Sequence, residues 1–340
     1  MMDQLYDAKK NHVPKFSVEQ HHNQSSGGDH FGLQQCLKRA NAAYCCLGNK
    51  IWVHGGNNGK GTLSDFYSYD ILTQEVTHYQ DLDVRQSFRS TIPPLENHQM
   101  IPLAPNGRSE SLLLIGYDRR GKEYPRASGQ ARCTFLGFFI IQDVHDLRKI
   151  SCGARHFDTH GQDVHVHFIH PMPRTELDAI PPRIHFTASV LGVNVTARNT
   201  YTIMIFGGCS SGSSSTGTDN LYRVTFNAEH IMRDQNGDTA GAYETTALTR
   251  KSVKSIGLNE VVSWPAPRYG HAAVTIGGNL YVFGGRHNDK YYNDMWFFDN
   301  TTERWTEIDV SGVSPPGLAF AGCFAYSTQM IMVYGGFRED

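Results

Sequence analysis

One pattern constrains this chain more than any other. Four or five apolar residues run directly into a pair of glycines, and the pattern recurs along the sequence. The copies are Ile51-Trp52-Val53-His54-Gly55-Gly56, Thr202-Ile203-Met204-Ile205-Phe206-Gly207-Gly208, Leu280-Tyr281-Val282-Phe283-Gly284-Gly285 and Ile331-Met332-Val333-Tyr334-Gly335-Gly336. A decayed copy, Leu112-Leu113-Leu114-Ile115-Gly116-Tyr117, has lost the second glycine. The glycines begin at 55, 116, 207, 284 and 335, so the spacings are 61, 91, 77 and 51 residues. A chain that repeats itself at about 50 residues builds one supersecondary unit several times. The longer intervals imply insertions in loops.

The best-preserved copy shows what the unit is. Pro267-Arg268-Tyr269-Gly270-His271 opens it, and Ala272 to Ile276 reads as a first strand. Gly277-Gly278-Asn279 is a hairpin turn, and Leu280 to Phe283 is a second strand. A polar loop, Arg286 to Lys290, leads to a third strand over Asn293 to Phe298, a turn at Asp299-Asn300-Thr301-Thr302, and a fourth over Arg304 to Ile308. Four short antiparallel strands per repeat make a propeller blade. The composition agrees: 33 glycines supply turns, and 16 Tyr, 18 Phe and 4 Trp suit half-buried strands. Glycine lets inner strands approach closely and take positive φ. Trp305 is expected to pack between neighbouring blades. Cys133 to Gln142 and Val164 to Ile169 are expected as outer strands.

Gly-Gly after an apolar strand, then Asn293-Asp294-Met295-Trp296, then Trp305 about twenty residues past the glycines, resembles the Kelch-repeat family. Asp65-Phe66-Tyr67-Ser68-Tyr69-Asp70 and Asn220-Leu221-Tyr222 fill the same place in other repeats. The resemblance covers residues 35–340 and implies an all-β fold, a Kelch-type β-propeller with four-stranded blades. Four complete blades and part of a fifth can be counted, so the propeller is expected to be truncated, a piece of a longer one. Gly284-Gly285-Arg286 is similar to the Kelch-domain substrate receptors of cullin-RING ubiquitin ligases, some of which read the extreme C-termini of proteins. In those receptors an Arg after the glycine pair faces the central pocket, and Arg286 stands there. Tyr291 stands where they carry a second Arg, and Leu318-Ala319-Phe320-Ala321 replaces a more polar run.

Residues 1–34, with His21-His22-Asn23-Gln24-Ser25-Ser26-Gly27-Gly28, read as a disordered polar leader. It has no apolar stretch of the kind that marks a signal peptide, and no run of 18 apolar residues spans a membrane. Seven cysteines without a CxxC pair are expected as reduced thiols, in the cytoplasm or nucleus. The sequons at Asn23, Asn194 and Asn300 are expected to be chance. A net charge of −2 gives no global basic field, so neither nucleic acid nor an anionic membrane is an expected partner.

Loops after the glycine pairs and turns that open the blades are expected on one face, around the channel mouth. They bring Asn57 and Asn58, Tyr117 and Asp118, Cys209 and Ser210, Arg286, His287 and Asn288, and Phe337 and Arg338 together with His185, Tyr269, His271 and Phe320. Arg presents a bidentate fork to a carboxylate, and Asn and His add donors. The bland alternatives are an ion pair between Arg286 and Asp289, and structural hydrogen bonds for His185 and His271.

The expected function is therefore a non-enzymatic protein-interaction module that docks a protein or peptide partner at the channel mouth. A cullin-RING adaptor is the sharper partner expectation, and no cofactor is expected. Two other readings stay open: a cytoskeletal or architectural scaffold, and a copper-dependent oxidase, since galactose oxidase has a propeller of the same repeat. His165 and His167 share one strand face and would suit a metal, but the spacing supplies no third ligand. Ser210 to Ser215 lacks the Lys of a phosphate loop.

Overall fold

Each glycine pair ends the second strand of an antiparallel meander. The computed structural model describes residues 38–79, 94–103, 111–116, 137–141, 166–169, 180–194, 200–210, 216–227, 243–249 and 263–338, with backbone alone for 79, 137–141, 166–169, 194 and 243. The leader, Tyr117, Asp118 and His165 lie outside them. The first sheet contains β1 (Ala43–Leu47), β2 (Lys50–His54), β3 (Phe66–Asp70) and β4 (Val76–Tyr79). The second contains β5 (Gln99–Leu103), β6 (Ser111–Gly116), β7 (Gly137–Ile141) and β8 (Val166–Ile169). The third contains β9 (Thr187–Asn194), β10 (Thr200–Phe206), β11 (Leu221–Asn227) and β12 (Tyr243–Leu248).

The fourth pairs β13 (Ala272–Ile276), β14 (Asn279–Phe283), β17 (Met295–Asp299) and β18 (Arg304–Ile308). Between β14 and β17, β15 (Arg286–His287) and β16 (Lys290–Tyr291) form a small hairpin. This segment reads as a loop in sequence; Asn288 turns the chain back with φ 51°, which its short polar side chain tolerates. A fifth sheet pairs β19 (Gly322–Ser327) with β20 (Met330–Tyr334). Phe324, Tyr326, Met330, Met332 and Tyr334 of this last pair are exposed. All pairings are antiparallel, and among the described residues there is no helix. The all-β propeller architecture is thus as the repeat implies.

The strands read as continuous apolar runs because both faces are covered. In β10, Tyr201, Ile203 and Ile205 pack with Ile101, Leu113 and Ile115 of the second sheet. The alternate residues Met204 and Phe206 pack with Val282, Phe298 and Trp305 of the fourth. Trp305 lies 5.1 Å from Phe206 and 5.2 Å from Phe298, between the two sheets. The first strands β1, β5, β9, β13 and β19 follow one another as neighbours around the centre.

Glycine pairs join the first sheet to the second, the third to the fourth and the fourth to the fifth. The N–H of Gly56 donates to the Leu95 carbonyl (2.8 Å), that of Gly208 to Arg268 (2.9 Å) and that of Gly285 to Leu318 (2.7 Å). The preceding glycines lie against the same carbonyls: a Cβ on Gly207 would stand 2.7 Å from the Arg268 oxygen, and one on Gly284 2.5 Å from that of Leu318. Both glycines of each pair also have positive φ, 66° and 92° at Gly284 and Gly285.

An arginine braces the same corner from within the sheet. Arg268 donates from Nη1 to the Gly284 carbonyl (2.9 Å) and forms a two-pronged pair with Asp294 at 2.7 and 2.8 Å. The Trp296 indole N–H donates to the same carboxylate, and the guanidinium lies over the Tyr292 ring. Arg39 repeats the arrangement with Gly55 and Asp65, and Arg183 reaches Gly207 over the Tyr222 ring. Asn220 stands where the third sheet would carry the Asp.

Gly284→Ala should cost about 2–4 kcal/mol, because strain at positive φ adds to a clash with backbone that cannot swing away. Gly277→Ala, at φ 59° with nothing within 4 Å, should cost only about 1 kcal/mol. Urea unfolding of both variants checks the difference; equal losses would contradict the inter-blade contact.

Candidate functional site

Two short backbone ladders build the mouth of the channel. The residue after each glycine pair bridges the turn that opens its own sheet: Asn57 with Ala40, Cys209 with Ile184, Arg286 with Tyr269 and Phe337 with Ala319. The next residue of each opening turn is left-handed: Asn41, Asn97, His185, Gly270 and Phe320 have φ between 55° and 61°. These residues are tied across sheets. Asn97 donates to the Asn41 carbonyl (2.9 Å), Gly270 to that of His185 (2.9 Å) and Phe320 to that of Gly270 (2.6 Å). Asn and Gly take this conformation readily, whereas an aromatic such as Phe320 is strained in it.

On one side of the mouth these positions converge. His185 meets Phe320 edge-on at 5.0 Å and lies 6.0 Å from Tyr269, and Phe320 lies 6.1 Å from Phe337. Arg286 lies over the rings of Tyr269 (5.7 Å) and Tyr291 (5.0 Å). Its Nη1 donates to the Tyr291 hydroxyl at 3.0 Å, and Nε and Nη2 donate to the Asn288 carbonyl at 3.2 and 2.9 Å. Among the described residues no carboxylate lies within salt-bridge distance of Arg286, Asp289 included. Two of its five N–H groups, one on each terminal nitrogen, remain for a ligand, enough for a bidentate carboxylate. Burial pushes the Tyr269 hydroxyl pKa up, and the Arg286 charge opposes this.

The other sequence candidates lie elsewhere or serve the scaffold. His287 accepts the Gly217 N–H at 3.1 Å, which pins the β15–β16 hairpin to the third sheet. Asn58 accepts from Lys60 and Gly61 and orders its own loop in the first sheet, whereas Asn57 accepts from Gly59 in that loop and donates to Glu96 at the opening of the second sheet. Cys209 is buried with Ile184 and Tyr269 beneath the cluster, and Ser210 and Arg338 are exposed. His271 is buried, bonded through Nε2 to Thr187 Oγ1 at 2.7 Å and edge-on to Phe206. It is a strut between sheets, as His98 is against His54 at 2.9 Å. The left-handed Asn41 and Asn97 escaped sequence reading, as did the tether from Tyr291 to Arg286. The signal for the left-handed positions is an Asn, His or Gly two residues past the bracing Arg position.

Sequence comparison agrees with this geometry. The KLHDC2/KLHL20/DRC7 Kelch-repeats domain matches residues 158–340, more than half of the chain, and the Kelch motif matches residues 38–82. The chain belongs to the Kelch-repeat family. Kelch domain-containing protein 2 of Bos taurus is 34% identical over 76 residues, 22% of this chain and 19% of that protein. Tip elongation aberrant protein 1 of Schizosaccharomyces pombe is 33% identical over 112 residues, 32% of this chain and 9% of that protein. Rho GTPase-activating protein gacHH of Dictyostelium discoideum is 28% identical over 152 residues, 44% and 8% respectively. The chain thus spans less than a fifth of each relative. Kelch repeats are protein-interaction modules, and this chain is one in that general sense. Among the described residues no group of three or more His, Cys, Asp and Glu side chains is placed to hold a metal, and no helix is long and apolar enough to cross a membrane.

Burial holds the Kelch struts neutral. It lowers the pKa of His54 to about 4 and of His271 to about 3, with the Arg268 charge adding to the latter, and it takes His98 well below 6.5. The unfolded chain therefore takes up protons first as pH falls below 6.5, and stability falls with it. Burial alone would raise the Asp294 carboxyl; its bonds to Arg268 and Trp296 outweigh this and hold it below 3.8, so its contribution is lost only at still lower pH. The urea midpoint should decline steadily between pH 6.5 and 4. A midpoint flat over that range would contradict neutral, buried histidines.

Proposed function

We propose that this chain is a partner-recognition module that docks an acidic peptide or a free carboxylate at Arg286, and that it serves as a substrate receptor for a cullin-RING ubiquitin ligase. The observation that carries the binding site is the state of Arg286: a guanidinium held in place by Tyr291 and the Asn288 carbonyl, with two N–H groups still to be satisfied. The aromatic wall of His185, Tyr269, Phe320 and Phe337 offers an apolar surface beside that charge, the pairing of anchor and fork found at binding hot spots. Strain at Phe320 supports the same reading. A bulky side chain kept in a left-handed turn costs on the order of 1–3 kcal/mol, and such strain concentrates at sites of function. The ligase role is supported by the resemblance of Gly284-Gly285-Arg286 to Kelch-domain receptors and by the similarity to Kelch domain-containing protein 2.

Affinity purification with wild-type and Arg286→Ala baits tests both parts. The expected result is a cullin adaptor with both baits and a set of clients lost from the variant. For an isolated client peptide, Arg286→Ala should weaken binding at least about tenfold, the loss of a charge-assisted bidentate pair. Phe320→Gly should bind more weakly yet unfold at nearly the wild-type urea concentration, since relief of the left-handed strain offsets the lost ring contacts. Partners kept equally by all baits would place recognition on another surface.

A further inference from the structure

The segment between β18 and β19 has no role in the scaffold that explains its form. Residues 309–316 are all exposed, Val313 at 93%. Among the described residues the backbone from 311 to 317 makes no backbone–backbone hydrogen bond, and pairing resumes only at Leu318. Ser314, Pro315 and Pro316 follow one another, and a residue before proline is held to extended conformations. Ser314 is also the one Ser or Thr in the whole sequence that directly precedes a proline. Its hydroxyl is weakly engaged, accepting from Asn293 Nδ2 at 3.4 Å and donating to the Pro315 carbonyl at 3.3 Å.

We infer that Ser314 is a phosphorylation site for a proline-directed protein kinase, and that the phosphate tunes ligand binding at the channel mouth. A kinase needs an exposed, extended stretch free of backbone pairing, with a hydroxyl that swings out at little cost, and Ser314-Pro315-Pro316, just past the bend at residues 312–313, meets each requirement. The γ-phosphoryl group of ATP passes to Ser314 Oγ as its bond to the bridging oxygen of ADP breaks, and the hydroxyl proton leaves to the kinase's catalytic base.

The position gives the modification a consequence. Ser314 touches Asn293, Leu318 donates to the Tyr292 carbonyl at 3.1 Å, and a Cβ on Gly317 would stand 2.8 Å from the Tyr291 carbonyl oxygen. The segment therefore runs beside the strand that carries Tyr291, the tether of Arg286, and it leads directly to Phe320. A phosphoserine here adds a charge of about −1.5 to −2 to the rim of a site that presents a cation. This second half rests on the reading of Arg286 as an anion anchor. Repulsion across the rim, partly screened by salt, should weaken an acidic ligand about two- to fivefold.

The test uses the full chain with ATP and, separately, a cyclin-dependent and a mitogen-activated kinase, both proline-directed. One phosphoryl group, placed on Ser314 by peptide fragmentation and absent from Ser314→Ala, is the expected result. No uptake with either kinase, or equal uptake by Ser314→Ala, overturns the site. A fluorescein-labelled acidic peptide with a free C-terminal carboxylate then reads affinity. Weaker binding by the phosphorylated chain, but not by kinase-treated Ser314→Ala, supports the regulation; unchanged binding overturns it. Arg286→Ala separates the two ideas: if that variant binds the peptide as wild type does, the anchor reading fails while the phosphorylation site stands.

Discussion

A single hydrogen bond, repeated at three junctions among the described residues, organises the molecule: the N–H of the second glycine of one sheet donates to the carbonyl at the start of the next. It forms only because the two glycines take positive φ and carry no side chain where the neighbouring backbone passes. Everything at the channel mouth hangs from it. The residue after the glycine pair is thereby set against the opening turn of its own sheet, and the left-handed residues of those turns are drawn into contact from sheet to sheet. The bracing arginine fixes the same corner from the other side, holding the first glycine's carbonyl while its charge is met by an aspartate.

This arrangement separates scaffold from site by position within the repeat. The Arg and the His three residues on are spent on the sheets themselves, buried and bonded. The two residues between them, and the one after the glycines, are placed by backbone ladders, so the residue types there can differ from sheet to sheet. The first sheet carries Ala40, Asn41 and Asn57 there, while the fourth carries Tyr269, Gly270 and Arg286. Binding character can therefore vary around the ring without touching the core, which suits a module that recognises partners.

Much of the fold was legible in the sequence. An apolar run into Gly-Gly, an Asp before an aromatic strand and a late Trp each report local geometry, and the fourth sheet follows its sequence reading almost residue for residue. The β15–β16 hairpin was not legible, because polar residues around Asn288 read equally as loop. For the site, position was readable and partnership was not. Arg286 stood out by its place after the glycines, but its tether to Tyr291 and its stacking on Tyr269 depend on a turn and on a bridge between distant segments. His185 and His271 look alike in sequence, yet one is the left-handed residue of its turn and the other lies one place later, inside the sheet interface.

By itself, then, the sequence determined the repeat, the strand order within each sheet and the need for glycine at the corners, since these follow from periodicity and backbone sterics acting over a few residues. Which side chains meet at the mouth follows from packing between sheets. His185, Tyr269, Arg286, Phe320 and Phe337 come from three sheets, and no local rule says how those sheets are turned against one another. That is set by how apolar faces such as those of Phe206, Phe298 and Trp305 interlock, a packing outcome of the whole chain.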